Sequence, residues 1–270
     1  MDKIVLCIKW GTFYGPEYVN RLYAMTVRNI TPPFQFVCMT DDRTGLNQDI
    51  RCFDLPDLGC EHPVDVPGKW AKVALWNKDL FGLSGTALFV DLDTVIVDQI
   101  DDFFHYKNPD DVILARNWLK PAYRLGQTTL FRFPIGKHSY LLEEFRKDPQ
   151  AIAEKYRFEQ HYVTQGIRGG VQFWPARWVR HYRHHCLGRN YLNRYRKPAR
   201  LPRGARIIAF PGFPNPADAV QGSWAGRPAA NSAWKHFLNG FTEKRMTKSF
   251  IRHMKSYHLP CEWVKEHWAE

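Results

Sequence analysis

Strand-like and helix-like segments alternate through the first 115 residues, and this alternation constrains the fold more than any other feature of the chain. Short apolar runs lie at residues 4–8, 34–39, 87–90 and 111–115. Helical spacing of apolar residues follows Pro16, which suits the first turn of a helix, and recurs at residues 70–77. Strands separated by helices predict βαβ units, and therefore an α/β fold with a mostly parallel sheet.

The pattern is less regular after residue 140. Further helices are predicted at residues 140–145, 150–156, 233–241 and 244–254. Further strands are predicted at residues 172–174 and 207–210.

Positive charge is concentrated in the last third of the chain. The whole chain has a net charge of +11, but residues 177–270 contain 18 Lys and Arg against 5 Asp and Glu. Aromatic residues are interspersed among these cations. Such a surface attracts polyanions, which include an anionic membrane, an anionic glycan and nucleic acid. The alternative is a basic face that is only solvated and binds no partner. In the membrane interpretation, an interfacial helical region contains Lys244, Arg245, Lys248, Arg252, Lys255, Trp263 and Trp268.

The sequence contains no segment that resembles a membrane span or a signal peptide. The apolar run at residues 87–90 is too short to cross a bilayer, and charge interrupts the first residues early. We therefore expect a cytoplasmic protein, peripheral on the inner face of the membrane where the basic region binds lipid.

Two aspartates directly follow the buried strand at residues 87–90. Because side chains alternate along a strand, Asp91 and Asp93 are expected to point the same way, at the edge where α/β sheets bind ligands. Paired carboxylates suit Mn²⁺ or Mg²⁺ held together with phosphate oxygens. Alternatively, Asp91 only ends the strand and Asp93 begins a turn, and the residues alone do not decide between these interpretations.

Several stretches together resemble the GT-A glycosyltransferases that use nucleotide sugars, specifically those of the family-8 type. They are CIKWGT at residues 7–12 with Tyr14, TDD at 40–42, KWAK at 69–72, DLD at 91–93 and EQ at 159–160. The resemblance extends over roughly residues 3–216. It implies a GT-A type, Rossmann-like and mostly parallel sheet flanked by helices, followed by a basic helical C-terminal extension.

The resemblance also implies roles for individual residues. The UDP-sugar donor would be bound by Lys9, Gly11, Thr12, Tyr14, Asp41, Asp42, Lys72 and Leu92. Mn²⁺ or Mg²⁺ would be ligated by Asp91 and Asp93. The side chains near the reacting sugar would be Gln160, Glu159 and Gln127. Each position has a structural alternative: the aspartates at 41–42 can bound a loop, Lys72 can lie on the solvated face of a helix, and Glu159 can open a helix.

The chain departs from the family pattern near residue 211. The family commonly has a histidine that ligates the metal and a lysine that binds the diphosphate, within a His-Gly-x-x-Lys-Pro segment. Here Pro211 stands at the histidine position and Asn215 at the lysine position. Proline has no side-chain donor for a metal, so weaker metal binding, metal independence and loss of activity all remain open.

These observations predict a metal-assisted, retaining glycosyltransferase that moves a sugar from a UDP-sugar to the hydroxyl of a cell-surface glycan or glycolipid. We expect a catalytic domain at residues 1–216 and a basic, aromatic extension at 217–270. One alternative is a non-catalytic protein that binds nucleotide sugars, and another is a glycosyltransferase that acts on nucleic acid.

Overall fold

The computed structural model describes residues 3–188, 190–226, 232–243 and 247–270. The chain divides into two compact units. The first unit contains the chain up to Leu92 together with Gln99–Ala176, and the second contains Asp93–Asp98 together with Arg177–Glu270. This division rests on compactness alone, so the expected boundary after residue 216 stays a prediction.

The strands and helices are as follows in chain order. The strands are β1 (Lys3–Lys9), β2 (Phe34–Thr40), β3 (Arg51–Phe53), β4 (Thr86–Val90), β5 (Thr94–Ile96), β6 (Ile113–Arg116), β7 (Gly126–Pro134), β8 (Gln172–Phe173), β9 (Val179–His181) and β10 (Ile207–Ala209). The α-helices are α1 (Pro16–Asn29), α2 (Asp101–His105), α3 (Tyr140–Lys147), α4 (Pro149–Tyr156), α5 (Glu159–Gly166), α6 (Pro216–Gln221), α7 (Ala233–Glu243), α8 (Thr247–Met254) and α9 (Glu262–His267). Shorter 3₁₀ or π segments lie at Trp70–Trp76, Tyr182–Cys186 and Tyr191–Tyr195.

A seven-stranded sheet forms the centre of the first unit, in the order β3-β2-β1-β4-β7-β6-β8. Its neighbouring strands are parallel except where β7 runs antiparallel to both β4 and β6. The predicted α/β fold with a mostly parallel sheet is therefore confirmed. The sequence does not mark β7, because its glycine, threonines and arginine interrupt the apolar pattern.

The segment Trp70–Trp76 is anchored in the core of the first unit by its two tryptophans. The Trp70 ring stacks on Phe145 at 5.4 Å, and the Trp76 ring stacks on Phe131 at 5.8 Å. The sequence predicts an amphipathic helix here, and the structure shows a 3₁₀ helix in which Lys72 is the one polar residue and Trp70, Val73, Ala74, Leu75 and Trp76 are buried. This segment consequently holds Lys72 in a fixed place.

A fully buried arginine joins β7 to the end of α2. The Arg132 guanidinium donates to the backbone carbonyls of Phe104 at 3.1 Å and Tyr106 at 2.7 Å, and also to the carbonyl of Asn108. Carbonyls at the end of a helix lack partners within the helix and carry partial negative charge. The guanidinium satisfies them, so a charged side chain is stable in the interior.

The second unit contains a three-stranded sheet in the order β5-β10-β9. Helix α6 begins with a capping box, in which the Asn215 side chain accepts from the Asp218 backbone N–H at 2.8 Å and the Asp218 carboxylate accepts from the Asn215 N–H. Capping boxes of this kind satisfy the first N–H groups of a helix. Asn215 therefore has a structural role at the position where the family resemblance implies a lysine.

The structure corrects the expected placement of one C-terminal tryptophan. Trp268 is buried, so its ring belongs to the packing around α9 and is not a membrane anchor. The Trp263 ring is half-buried and its indole donates to the Ala199 carbonyl at 3.0 Å, and its expected interfacial role stays a prediction. Lys244 and Arg245 of the expected interfacial region lie outside the described residues, as does the side chain of Lys248.

None of the helices in the described part of the chain combines the length and the apolar character that crossing a bilayer requires.

Replacing Arg132 with Met is expected to lower the free energy of unfolding by about 3 kcal/mol, because it leaves several buried carbonyls without a charged donor. The matched control is Arg43→Met, which removes an exposed pair with Asp54 and should change stability by less than about 1 kcal/mol. Urea denaturation measures both values. Equal stabilities for the two variants would contradict the assigned role of Arg132.

Candidate active site

The loop after β1 and the loop after β2 meet at the carboxyl edge of the sheet. The Gly11 backbone N–H donates to the Asp41 carboxylate at 2.8 Å. Gly11 has a φ of +60°, which favours glycine at this position. Two of the predicted donor-binding segments are thus brought together, at the edge where α/β sheets bind ligands.

The remaining predicted nucleotide residues surround these loops. The pKa of Asp42 is lowered, first by the hydrogen bond from the Thr44 backbone, and Lys9 lowers it further. Lys9 itself is buried at the end of β1. The Tyr14 ring contacts Tyr18 at 4.5 Å, and Thr12 is exposed.

An exposed tryptophan lies beside a lysine in the same region. The Lys69 ammonium is 4.9 Å from the centre of the Trp10 ring, and more than half of Trp10 is accessible to solvent. Such a pair offers an aromatic face and a cation to one ligand. The family resemblance includes Trp10 in a motif without implying a role for it, although a large apolar side chain in a polar loop is a usable signal.

The Lys72 ammonium forms the centre of a mostly buried polar cluster, which we call the Lys72 cluster and which consists of Lys72, Asp91, Thr128 and Glu159. The ammonium lies 2.7 Å from Asp91 Oδ1 and donates to the Thr128 carbonyl at 3.1 Å. It also lies 4.7 Å from the centre of the Phe89 ring. Resemblance assigns Lys72 to the donor and Asp91 to a metal, and the structure pairs these two groups with each other.

Glu159 joins the Lys72 cluster through Thr128, whose hydroxyl donates to the Glu159 carboxylate. Glu159 is buried in the first turn of α5, a position where helix N–H groups favour negative charge. The same helix is held against β7 by Thr164, whose hydroxyl accepts from the Gly126 N–H at 2.9 Å. A side chain at position 126 would collide with Thr164 of α5 and with Leu114 of β6, so the glycine permits this approach.

Negative charge exceeds positive charge in the Lys72 cluster. It contains two carboxylates and one ammonium, whereas Lys69, the other cation that acts on Asp91, is exposed. Burial raises the pKa of Asp91, Lys72 opposes that rise, and Glu159 adds to it. Because buried charges are stable only when compensated, the cluster favours additional positive charge nearby.

The two predicted amide side chains lie outside this hydrogen-bond network. Gln127 and Gln160 are half-buried, and in the described part of the chain neither amide hydrogen-bonds to Glu159 or Lys72. Thr128, which connects Lys72 with Glu159, has no assigned role in the sequence-based prediction. The predicted role of its neighbour Gln127 near the reacting sugar rests only on the place of Gln127 in the family pattern.

The two aspartates of the Asp-Leu-Asp motif fall in different units. Asp91 is on the first unit and Leu92 is buried, whereas Asp93 is on the second, where its carbonyl accepts from the Phe210 N–H at 2.9 Å. The predicted roles of Leu92 and Asp93 are not tested by these contacts and stay predictions.

The described side chains of the protein do not by themselves form a complete site for a divalent cation. No group of three His, Cys, Asp or Glu side chains within the described ranges is gathered closely enough to hold a metal alone. Carboxylates are nevertheless suitable ligands, and Mg²⁺ is often bound by one or two of them together with substrate phosphates. The excess negative charge around Asp91 also favours a cation. Asp91 is therefore suited to supply one ligand to a divalent ion whose other ligands come from elsewhere.

Comparison with known proteins identifies the fold. No family model matches the sequence, and no curated protein does. The galactosyltransferase LgtC, solved with donor and acceptor sugar analogs, is 13% identical, with a TM-score of 0.52 over 97% of this chain and 99% of that one. The glycosyltransferase GlyE of Streptococcus pneumoniae is 12% identical, with a TM-score of 0.54 over 97% of this chain and 66% of that one. Mouse xyloside xylosyltransferase 1 is 12% identical, with a TM-score of 0.51 over 78% of this chain and 98% of that one.

These likenesses show that the chain has the GT-A fold, as the sequence resemblance implies. The identities are too low to transfer a substrate or a reaction.

The raised pKa of Asp91 gives the stability of the protein a particular pH dependence. A carboxyl with a folded-state pKa above its ordinary value near 3.8 stabilises the fold below that value, and the stabilisation is lost as pH rises through the folded pKa. Stability of the wild type relative to Asp91→Asn should therefore fall as pH rises above 3.8. Urea denaturation at a series of pH values measures this difference.

The control for this experiment is Asp42→Asn, because the pKa of Asp42 is lowered. Stability of the wild type relative to that variant should instead be lost as pH falls through the lowered pKa. Differences of the same sign for both aspartates would contradict the electrostatic description of the Lys72 cluster.

Proposed function

We propose that the protein is a glycosyltransferase, which moves a sugar from a UDP-sugar donor to the hydroxyl of a cell-surface glycan or glycolipid. The observation that carries this proposal is the Lys72 cluster, a mostly buried group with excess negative charge in the same unit as the Gly11–Asp41 contact. A GT-A fold by itself would leave the function open, because one fold supports many functions.

The nucleotide would bind at the loops that follow β1 and β2. Trp10 offers an aromatic face to the base, and the exposed Lys69 offers positive charge to the phosphates. The role of Lys9, which is buried, rests on the family resemblance. Asp41 and Asp42 offer carboxylate acceptors to the ribose hydroxyls and to the base N–H. These groups favour a nucleoside diphosphate over an uncharged ligand.

The transferred sugar would lie against the Lys72 cluster. In the reaction the bond between the anomeric carbon and the phosphate oxygen breaks, and its electron pair leaves with the diphosphate. A bond forms from the acceptor oxygen to the anomeric carbon, and the hydroxyl proton passes to the departing phosphate. Positive charge develops on the sugar during this exchange, and the Glu159 carboxylate stabilises it electrostatically, joined by Asp91 when that carboxylate ligates no metal.

The individual side chains would divide the remaining work. Lys72 donates hydrogen bonds to sugar hydroxyls or to the departing phosphate, while Thr128 orients the Glu159 carboxylate. Gln160, next to Glu159 on α5, supplies a carbonyl dipole to the anomeric carbon, and Gln127 contacts a sugar hydroxyl. Retention of configuration belongs to this proposal through the family resemblance.

Metal assistance also belongs to the proposal. Asp91 would contribute a carboxylate to Mn²⁺ or Mg²⁺, and Asp93 stays a candidate from the sequence. A bound ion would supply positive charge for the departing diphosphate. Pro211 offers no side-chain ligand, which favours weak metal binding in the absence of a donor.

A non-catalytic nucleotide-sugar binder is the second candidate. It is favoured by Pro211 and by Asn215, whose side chain caps α6 instead of being available to a diphosphate. Turnover separates the two candidates, since a binder holds UDP-sugar without releasing UDP.

The test is release of UDP from a panel of UDP-sugars, with and without simple glycoside acceptors. Glu159→Gln should lower kcat by about 100-fold or more, because it removes a charge that stabilises the developing cation. Lys137→Met, which affects only an exposed pair with Asp110, is the control and should leave kcat unchanged. Binding of UDP-sugars without any release of UDP by the wild type would establish the binder instead.

Metal dependence is tested by thermal unfolding with UDP, with Mn²⁺, and with both. A ligand at about 100 times its dissociation constant adds about 2.7 kcal/mol of stability. We expect Mn²⁺ alone to stabilise the protein little and UDP with Mn²⁺ to stabilise it more than UDP alone. Equal stabilisation by UDP in the presence of Mn²⁺ and of a chelator would remove the metal from the proposal.

A further inference from the structure

Helices α7 and α8 of the second unit form an antiparallel pair with close contact. The His236 and His253 rings stack at 3.9 Å, and each ring nitrogen Nε2 lies within 3.0 Å of the other residue's backbone carbonyl. A side chain at Gly240 would collide with the Phe250 ring, so the glycine allows the helices to approach. The pair therefore has a well-defined packed side, to which residues 236, 240, 250 and 253 belong.

The packed side also attaches the helix pair to the rest of the second unit. The Tyr195 hydroxyl donates to the Met254 carbonyl at 3.1 Å, and the Tyr195 ring stacks on Tyr257 at 4.4 Å. The Arg194 guanidinium donates to the Lys255 carbonyl at 2.9 Å. These contacts fix the orientation of the pair within its unit.

Helix α7 carries an apolar stripe that is largely exposed, although its Phe241 ring also contacts Phe250 of the packed side at 4.8 Å. Trp234, Leu238 and Phe241 follow the spacing i, i+4 and i+7, which places them on one face of a helix. Trp234 is 67% exposed and Phe241 is 59% exposed. The rings are not isolated, since Phe237 lies between them at 5.7 Å from Trp234 and 4.9 Å from Phe241. Exposed apolar surface of this kind marks an interaction site.

Exposed cations lie on the same helix pair as the apolar stripe. Lys235 directly follows Trp234 on α7, and Arg252 on α8 and Lys255 just after it are exposed, as is the apolar Ile251 next to Arg252. The charge of residues 177–270 makes a second copy of this chain an unfavourable occupant, because like charges would meet.

We propose that the exposed face of α7 and α8 binds an anionic lipid bilayer. Trp234 and Phe241 insert at the boundary between headgroups and acyl chains, and the exposed cations of the pair contact anionic headgroups, as in other amphipathic interfacial helices. Duplex DNA would use the cations but would give the exposed rings no partner. In combination with the proposed function, this surface brings the enzyme to a glycolipid acceptor.

The test is co-sedimentation of the full-length protein with vesicles, in the absence of any sugar donor. We expect binding to an equimolar mixture of phosphatidylcholine and phosphatidylglycerol and much weaker binding to phosphatidylcholine alone, at about 0.15 M salt. The variant Trp234→Ser/Phe241→Ser should bind these vesicles at least about tenfold more weakly than the wild type, because two apolar anchors are lost. Each of Lys235→Gln and Arg252→Gln should weaken binding about fivefold.

A matched control comes from the first unit. Leu119 and Tyr123 are 66% and 64% exposed, close to the values for Trp234 and Phe241. The variant Leu119→Ser/Tyr123→Ser should bind anionic vesicles as the wild type does. Because all four side chains are exposed, circular dichroism should show unchanged folding in both double variants.

Three results would overturn the proposal. In the first, the wild-type protein stays in the supernatant with anionic vesicles. In the second, both double variants lose binding equally, and in the third the protein binds duplex DNA but not vesicles at the same salt concentration. None of them depends on UDP release, so failure here and failure of the proposed glycosyl transfer are separate outcomes.

Discussion

The candidate site depends on the contacts that the Lys72 ammonium makes. The ammonium is held between Asp91 Oδ1, the Thr128 carbonyl and the Phe89 ring, and Thr128 in turn holds Glu159. Breaking a mostly buried ion pair of this kind on one side leaves an uncompensated charge and is strongly destabilising. The first unit therefore keeps two carboxylates and one ammonium close together, with one negative charge in excess. In the proposed reaction, that excess suits a sugar on which positive charge develops.

The surrounding fold explains why this cluster is rigid. Lys72 is carried by a 3₁₀ segment with a buried tryptophan at each end, and Glu159 begins a helix that approaches β7 closely at Gly126. Asp91 follows β4, and its backbone N–H continues the sheet ladder to the Thr129 carbonyl at 2.9 Å. Preorganised charge of this kind stabilises a transition state without reorganising during the reaction.

The sequence predicts much of this arrangement because local patterns determine it. The strands at residues 3–9, 34–40 and 86–90 and the helix that begins at Pro16 follow from apolar periodicity and proline placement. Strand β7 does not, because it is stabilised by its neighbours β4 and β6 and by Arg132, all contacts between distant parts of the chain. The pairing of Lys72 with Asp91 and the burial of Trp268 depend on such tertiary contacts as well, and composition cannot reveal them. The same holds for the exposure of Trp234, which only the packing of α7 on α8 makes visible.

The proposed site can be tested by a crystal structure of the protein with a non-hydrolysable UDP-sugar analogue. We expect the uracil and ribose at the loops of Gly11 and Asp41, and the sugar within hydrogen-bond distance of Lys72 and Glu159. A nucleotide bound elsewhere, or a sugar directed away from an unchanged Lys72–Asp91 pair, would contradict the proposed site.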